Sequence, residues 1–210
     1  MRRITGAVCL FLGTALIFGA LTLFLHNQHE ETVAESRSED LMPVLMEAIE
    51  EKEKSPTEPP TYEQPVGTPV EYLDPDALIM TEVEINGDKY IGYLSIPSLE
   101  LELPVMSGWD YRKLNVAPCR YNGSVRGEDL VIMAHNYDRH FGRLAELTED
   151  DPVIFTDMDG IVTTYEVVGQ DILSPYAVEE MTSGDFDLTL FTCTYGGQSR
   201  VTVYCDRVDR

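Results

Sequence analysis

Hydrophobic and polar positions divide the 210 residues into three stretches with different periods. The first, 4–25, is apolar and carries no charged side chain. As a helix rising about 1.5 Å per residue it would span about 33 Å, enough for a hydrocarbon core of about 30 Å. It exceeds the apolar run of about 7–15 residues in a cleavable signal peptide, so an uncleaved single-pass anchor is expected. Arg2 and Arg3 precede it. Positive charge on the short side predicts a cytoplasmic N-terminus, with everything after His26 outside the cell.

The second stretch, 26–80, is acidic and then Pro-rich. Leu41, Leu45, Ala48 and Ile49 recur at helical spacing, which predicts a short amphipathic helix over 44–54. Beyond it, Pro56, Pro59, Pro60, Pro65 and Pro69 disfavour regular structure. A stalk holding a folded domain off the membrane is expected, with a lid over a groove as the alternative.

In the third stretch, 81–210, the period switches to two. Alternation over 82–85, the hairpin dipeptide Asn86-Gly87, and apolar runs over 90–96, 101–105, 130–134, 153–156 and 161–169 predict successive short strands. Two more strands flank a Gly-containing loop near residue 196. The turn Asp157-Met158-Asp159-Gly160 joins two strands, and short helical segments are expected over 109–116, 143–147 and 177–181. Many short strands with turns between them predict a mainly β fold, a closed or nearly closed barrel. The domain division is therefore 1–25 anchor, 26–80 stalk or lid, and 81–210 barrel.

Charge narrows the partners. The formal net charge is −22, and 14 acidic against 3 basic side chains over 26–80 supply −11 of it. Nucleic acid is excluded as a partner, because phosphate binding needs a basic surface. Metal-site spacings such as CxxC or HExxH do not occur, so no cofactor or metal is expected.

Candidate chemistry gathers at strand ends. Cys193 closes the run Leu188–Cys193, and Arg200 opens the next strand beyond Gly196 and Gly197. A strand end beside a loop exposes a side chain that a strand centre would bury. A thiolate beside a cation is a nucleophile beside an oxyanion holder. Four histidines could supply the base. His26 and His29 follow the apolar run, far from the folded core, which leaves His135 and His140. His135 directly follows the run 129–134, Asp129 and then five apolar residues, and stands at a strand end too. Cys119 and Cys205 either pair, leaving Cys193 free, or stay reduced as ordinary core residues, the preferred reading.

TLFTC with Arg200 seven residues beyond the cysteine resembles the sortase signature, a TLxTC motif with a downstream Arg. VIMAHN resembles the sortase strand that carries the His, with Ala134 where a Gly is common. Residues 90–105, YIGYLSIPSLELELPV, are similar to the first two sortase strands. The resemblance covers about residues 89–209. It implies an eight-stranded sortase-type β-barrel with short helices behind one transmembrane helix, and a cysteine transpeptidase of Gram-positive bacteria with His135, Cys193 and Arg200 as its catalytic residues. The implied substrates are secreted proteins with a C-terminal LPxTG-like sorting signal. The implied acceptor is an amine of a peptidoglycan precursor or of a pilin Lys. A Cys-dependent peptidase without transfer and a non-catalytic membrane-tethered β-module are the alternatives.

Within the family, the short span between residues 173 and 188 argues against the long helical insertion of class B. The His-Asn pair resembles class B, so a compact class D-like or a class B-related enzyme is expected. Asp74-Pro75-Asp76 resembles the lid motif of pilin-assembling sortases in its first two residues only. Some sortases bind calcium near the groove, and Glu146, Glu149, Asp150 and Asp151 are the carboxylates placed for it; a solvated loop is the preferred reading.

Overall fold

The computed structural model describes residues 2–54 and 79–208. One long helix, α1 (Arg2–Lys54), precedes nine strands: β1 (Val83–Ile85), β2 (Asp88–Ile96), β3 (Leu101–Met106), β4 (Cys119–Asn122), β5 (Leu130–Ala134), β6 (Pro152–Asp157), β7 (Val162–Leu173), β8 (Leu188–Cys193) and β9 (Arg200–Arg207). Two short helices interrupt them, α2 (Tyr111–Leu114) and α3 (Val178–Met181). The sheet order is β1-β2-β3-β4-β5-β8-β9-β7-β6, and pairing of β2 with β6 closes strands β2 to β9 into an eight-stranded barrel. β1 is a hairpin strand added to the edge of β2 through the Asn86-Gly87 turn. The expected closed β-barrel is the fold.

Two apolar layers hold the barrel. Inward-facing residues fill its lumen, among them Ile91, Leu94, Leu103, Val105, Leu130, Ile132, Phe155, Leu188, Leu190 and Val203. Closure removes strand edges, and alternation sends the intervening residues outward. The second layer lies outside the barrel wall, where Leu41, Leu45 and Ile49 of α1 pack on Ile85, Tyr90, Met106, Leu114, Cys119 and Met158.

That second layer reveals how far the helix of the second stretch extends. The sequence predicts it over 44–54, whereas α1 is continuous from Arg2 through Lys54, with Pro43 inside it and exposed. Ala34, Ser38, Leu41, Leu45 and Ile49 recur every three or four residues and are all buried. Small and polar residues at 34 and 38 hide this stripe from an apolar-period reading. Its far end is pinned by ions: Asp159 accepts from Lys52, Thr81 and Arg126. The lid motif Asp74-Pro75-Asp76 lies outside the described residues.

β4 is a further difference. Pro118, Asn122 and Gly123 mark 118–123 as breaker-rich, yet Cys119–Asn122 pairs with β5 antiparallel and touches β3 in parallel at Met106. Tertiary pairing decides a four-residue strand more than its own propensity does. Cys119 and Cys205 are both free and buried, one beneath α1 and the other in the lumen.

Candidate active site

The topology brings three strand ends together. β5 and β8 run parallel with Ala134 opposite Thr192, so one step further sets His135 beside Cys193. β8 and β9 run antiparallel with Cys193 directly opposite Arg200. Directly opposed residues hold their Cβ atoms about 4.5–5.5 Å apart and on one face of the sheet. His135, Cys193 and Arg200 thus stand in one row across three neighbouring strands. All three are half-buried. Thr192 Oγ1 donates to Ala134 O at 2.9 Å, tying β8 to β5 immediately behind the row.

The loop between Cys193 and Arg200 is internally braced. Thr194 N donates to Ser199 O and Gly197 N to Thr194 O, at 2.9 and 2.8 Å. Gly196 and Gly197 have φ of 84° and 71°, a left-handed pair that side chains disfavour. The Arg200 guanidinium donates to Gly197 O and Ser199 O, at 3.2 and 3.1 Å. The cation is therefore fixed by neutral carbonyls. Among the described residues no carboxylate neutralises it.

His135 is oriented by a residue that motif reading missed. Its Nε2 lies 3.0 Å from Asn115 Oδ1. An amide oxygen only accepts, so Nε2 carries the proton and Nδ1 is left as the basic nitrogen. Asn115 is 20 residues upstream at the end of α2 and carries no motif signal. Burial pushes the His135 imidazole below its ordinary pKa, favouring the neutral ring.

His140, the other histidine considered, is fully buried and belongs to a different task. Its Nε2 faces Ser38 Oγ at 3.4 Å, and its Nδ1 has no hydrogen-bond partner among the described residues. Burial, with His135 nearby, pushes its pKa down to about 4. The folded state then binds fewer protons than the unfolded chain between about pH 6.5 and pH 4, so stability is lost as pH falls through that window. Urea denaturation should show about 2 kcal/mol less stability at about pH 4.5 than at about pH 7 from this group. A flat profile over that range would rule out a buried neutral His140.

Away from the row, the outer face of the barrel is apolar. Val131, Phe191 and Met181 of α3 are buried together, with Tyr121, Met133 and Leu173 against them. Trp109 stacks on Tyr121 at 5.9 Å, and Tyr121 meets Phe191 edge-on at 5.2 Å. Phe191 and Met133 lie two residues before Cys193 and His135, hence on the same face. An extended chain lying along this face would pass the thiol. A cavity of about 730 Å³ lies instead between α1 and the β2–β3 region, lined by Met42, Met46, Leu101 and Leu103 and by none of the three row residues.

Two of the four carboxylates considered for calcium have other partners: Glu146 pairs with Arg143, and Asp151 accepts from Ser98 and Thr148. Among the described residues no group of three or more His, Cys, Asp or Glu is disposed to hold a metal ion.

A closed β-barrel presenting a thiol between an imidazole and a guanidinium at its rim has the architecture of a cysteine transpeptidase. The Sortase domain family model matches residues 94–208. The chain belongs to the sortase family, and the enzyme class expected of it is cysteine transpeptidase. Among solved structures it is similar to sortase C1 from Streptococcus suis, with 28% identity and a TM-score of 0.52 over 58% of this chain and 74% of that one. Sortase C1 from Streptococcus agalactiae matches at 25% identity and TM-score 0.53, covering 60% and 72%. Sortase C from Clostridium perfringens SM101 shares the fold, at 22% identity and TM-score 0.53, over 90% of this chain and 99% of that one. These neighbours carry the class C name, whereas the short span between residues 173 and 188 and the His-Asn pair suggest a class D-like or class B-related enzyme. No curated protein matches the chain in sequence.

Proposed function

We propose that this protein is a membrane-anchored sortase that cleaves an LPxTG-like sorting signal in secreted proteins and transfers the acyl part to an amine of the cell wall or of a pilin. The observation that carries the reading is the single row of His135, Cys193 and Arg200. The Cys193 thiol gives its proton to His135, and the thiolate attacks the scissile carbonyl. Arg200 holds the resulting oxyanion with donors already in place, an effect commonly worth about 3 kcal/mol. His135 returns the proton to the leaving amine as the C–N bond breaks, leaving a thioacyl intermediate. An incoming amine then gives a proton to His135, attacks the thioester, and displaces the thiolate, which recovers that proton.

The apolar stretch of α1 supports the anchor. Its side chains from Leu10 to Leu25 are largely exposed among the described residues. The docked face of α1 begins at Glu31, six residues past Leu25, or about 9 Å of helix. With 4–25 in a bilayer and 81–210 as the catalytic unit, the barrel sits at the outer membrane surface, where secreted substrates and lipid-linked precursors are met.

The test is transfer. The full chain in nanodiscs is given a fluorogenic LPxTG-type peptide library and a small primary amine. An amide product joining peptide and amine is expected. Cleavage with no amide product from any amine would make the protein a peptidase and sink the transferase reading.

A further inference from the structure

We propose that Ser38 of α1 is a positioning residue for His135, which makes the anchor helix part of the catalytic apparatus. The inference rests on the reading of His135 as the acid–base group. His135 is held from two sides, and Ser38 touches both. On one side Asn115 takes the proton of His135 Nε2, and the next residue, Val116, accepts the Ser38 hydroxyl at 3.0 Å. On the other side the loop after β5 folds back on itself, with Phe141 N donating to His135 O at 3.1 Å and His140 N to Tyr137 O at 2.9 Å. The Tyr137 ring lies between the imidazoles, 5.0 Å from His135 and 5.6 Å from His140.

Ser38 closes this bracket. A hydroxyl has one proton, and it goes to Val116 O. The 3.4 Å contact with His140 therefore runs from the ring Nε2–H to the Ser38 oxygen. His140, Ser38 and Val116 form a chain, buried at His140 and Ser38, that joins the two loops flanking His135. Buried hydrogen-bonded chains leave their members few alternative positions.

The same face of α1 grips the loop twice more. Glu31 accepts from Asp138 N at 2.6 Å, and Glu35 pairs with Arg139 at 2.8 Å. Residues 31, 35 and 38 fall on successive turns of one helix face. A helix needed only as a tether has no reason to place three polar contacts on the loop that follows the histidine strand.

The experiment compares wild type, Ser38→Ala and Ser38→Thr as full chains in nanodiscs, using two readouts. The first is transfer kinetics with the LPxTG-type peptide and amine. The second uses no substrate: the rate of Cys193 alkylation by iodoacetamide, followed by mass spectrometry from about pH 5 to pH 9, reports the proton shared with His135. Ser38→Ala is expected to lower kcat about tenfold or more with KM within about twofold, since a slightly displaced acid–base group costs rate and leaves peptide binding intact. It is also expected to shift the alkylation profile with little change in Tm, and Ser38→Thr, which keeps the hydroxyl, is expected to restore both. Wild-type kcat and profile in Ser38→Ala would overturn the inference. So would joint loss of kcat and cooperative unfolding that Ser38→Thr does not restore, which would make Ser38 a folding residue. If wild type transfers nothing, the function reading fails, and the alkylation profile still decides for or against Ser38.

Discussion

Replacing Cys193 by Ala is expected to remove transfer and cleavage together, down to the background of the assay. The nitrogen groups that remain in the row, on His135 and Arg200, can polarise a carbonyl but do not replace the thiol in forming the acyl intermediate. Removal of a nucleophile commonly costs on the order of a millionfold in rate. The expectation has a chemical readout that needs no substrate. A polar thiol reagent should label only one of Cys119, Cys193 and Cys205 in wild type. Burial pushes the Cys119 thiol up to about 12 and raises that of Cys205 as well, so both are shielded and protonated. Cys193 is half-buried at a strand end and open to reagent. Labelling should vanish in Cys193→Ala while circular dichroism is unchanged, since the residue lies outside all three apolar clusters. Residual transfer in the mutant would place the nucleophile elsewhere and undo the assignment.

The row was legible in sequence because each member ends or begins a strand-like apolar or β-branched run that borders a polar or Gly-containing loop. Strand ends are where a barrel exposes side chains, and three of them in one chain order left few arrangements. Parallel pairing of β5 with β8 could not be read from the residues, since a run of five or six apolar residues is compatible with either neighbour and direction. Asn115 was invisible for another reason. It closes the one-turn helix that the sequence does place within 109–116, but its task is set by register between elements 20 residues apart.

The acidic segment misled in an instructive way. Its charge reads as solvated, and Glu30, Glu39, Glu47 and Glu50 are indeed exposed. Yet Glu31 and Glu35 are spent on backbone and Arg contacts at the histidine loop, and the buried stripe beside them begins with Ala34 and Ser38. Net charge describes a segment as a whole. A helix segregates it by face, so an acidic stretch can still dock.

Gly92→Ala is expected to destabilise the barrel by about 3 kcal/mol or more, the scale of an overpacked core with added backbone strain. Gly92 has φ of 148°, a region that L side chains rarely adopt. A Cβ there would lie 2.1 Å from Thr156 O and 2.9 Å from Asp157 Cα, so backbone would have to move. The position is critical because Gly92 pairs with Val105 of β3 and with Asp157 of β6 at once, beside an irregularity in the β2–β3 register. It is the point where the sheet closes on itself. The consequence should travel further than the barrel. Asp157 accepts from the backbone of Asp159 and Ile161 at 2.9 Å, shaping the turn whose Asp159 carboxylate holds Lys52 of α1, Thr81 and Arg126. Opening β2 from β6 would loosen that turn and with it the far end of the docked helix. Thermal and urea unfolding of Gly92→Ala should therefore show a large loss of Tm, and limited proteolysis should cut near residues 52–54 before wild type is cut there. A Tm within about 2 °C of wild type would mean that the strands tolerate the added carbon and that closure is not set at this glycine.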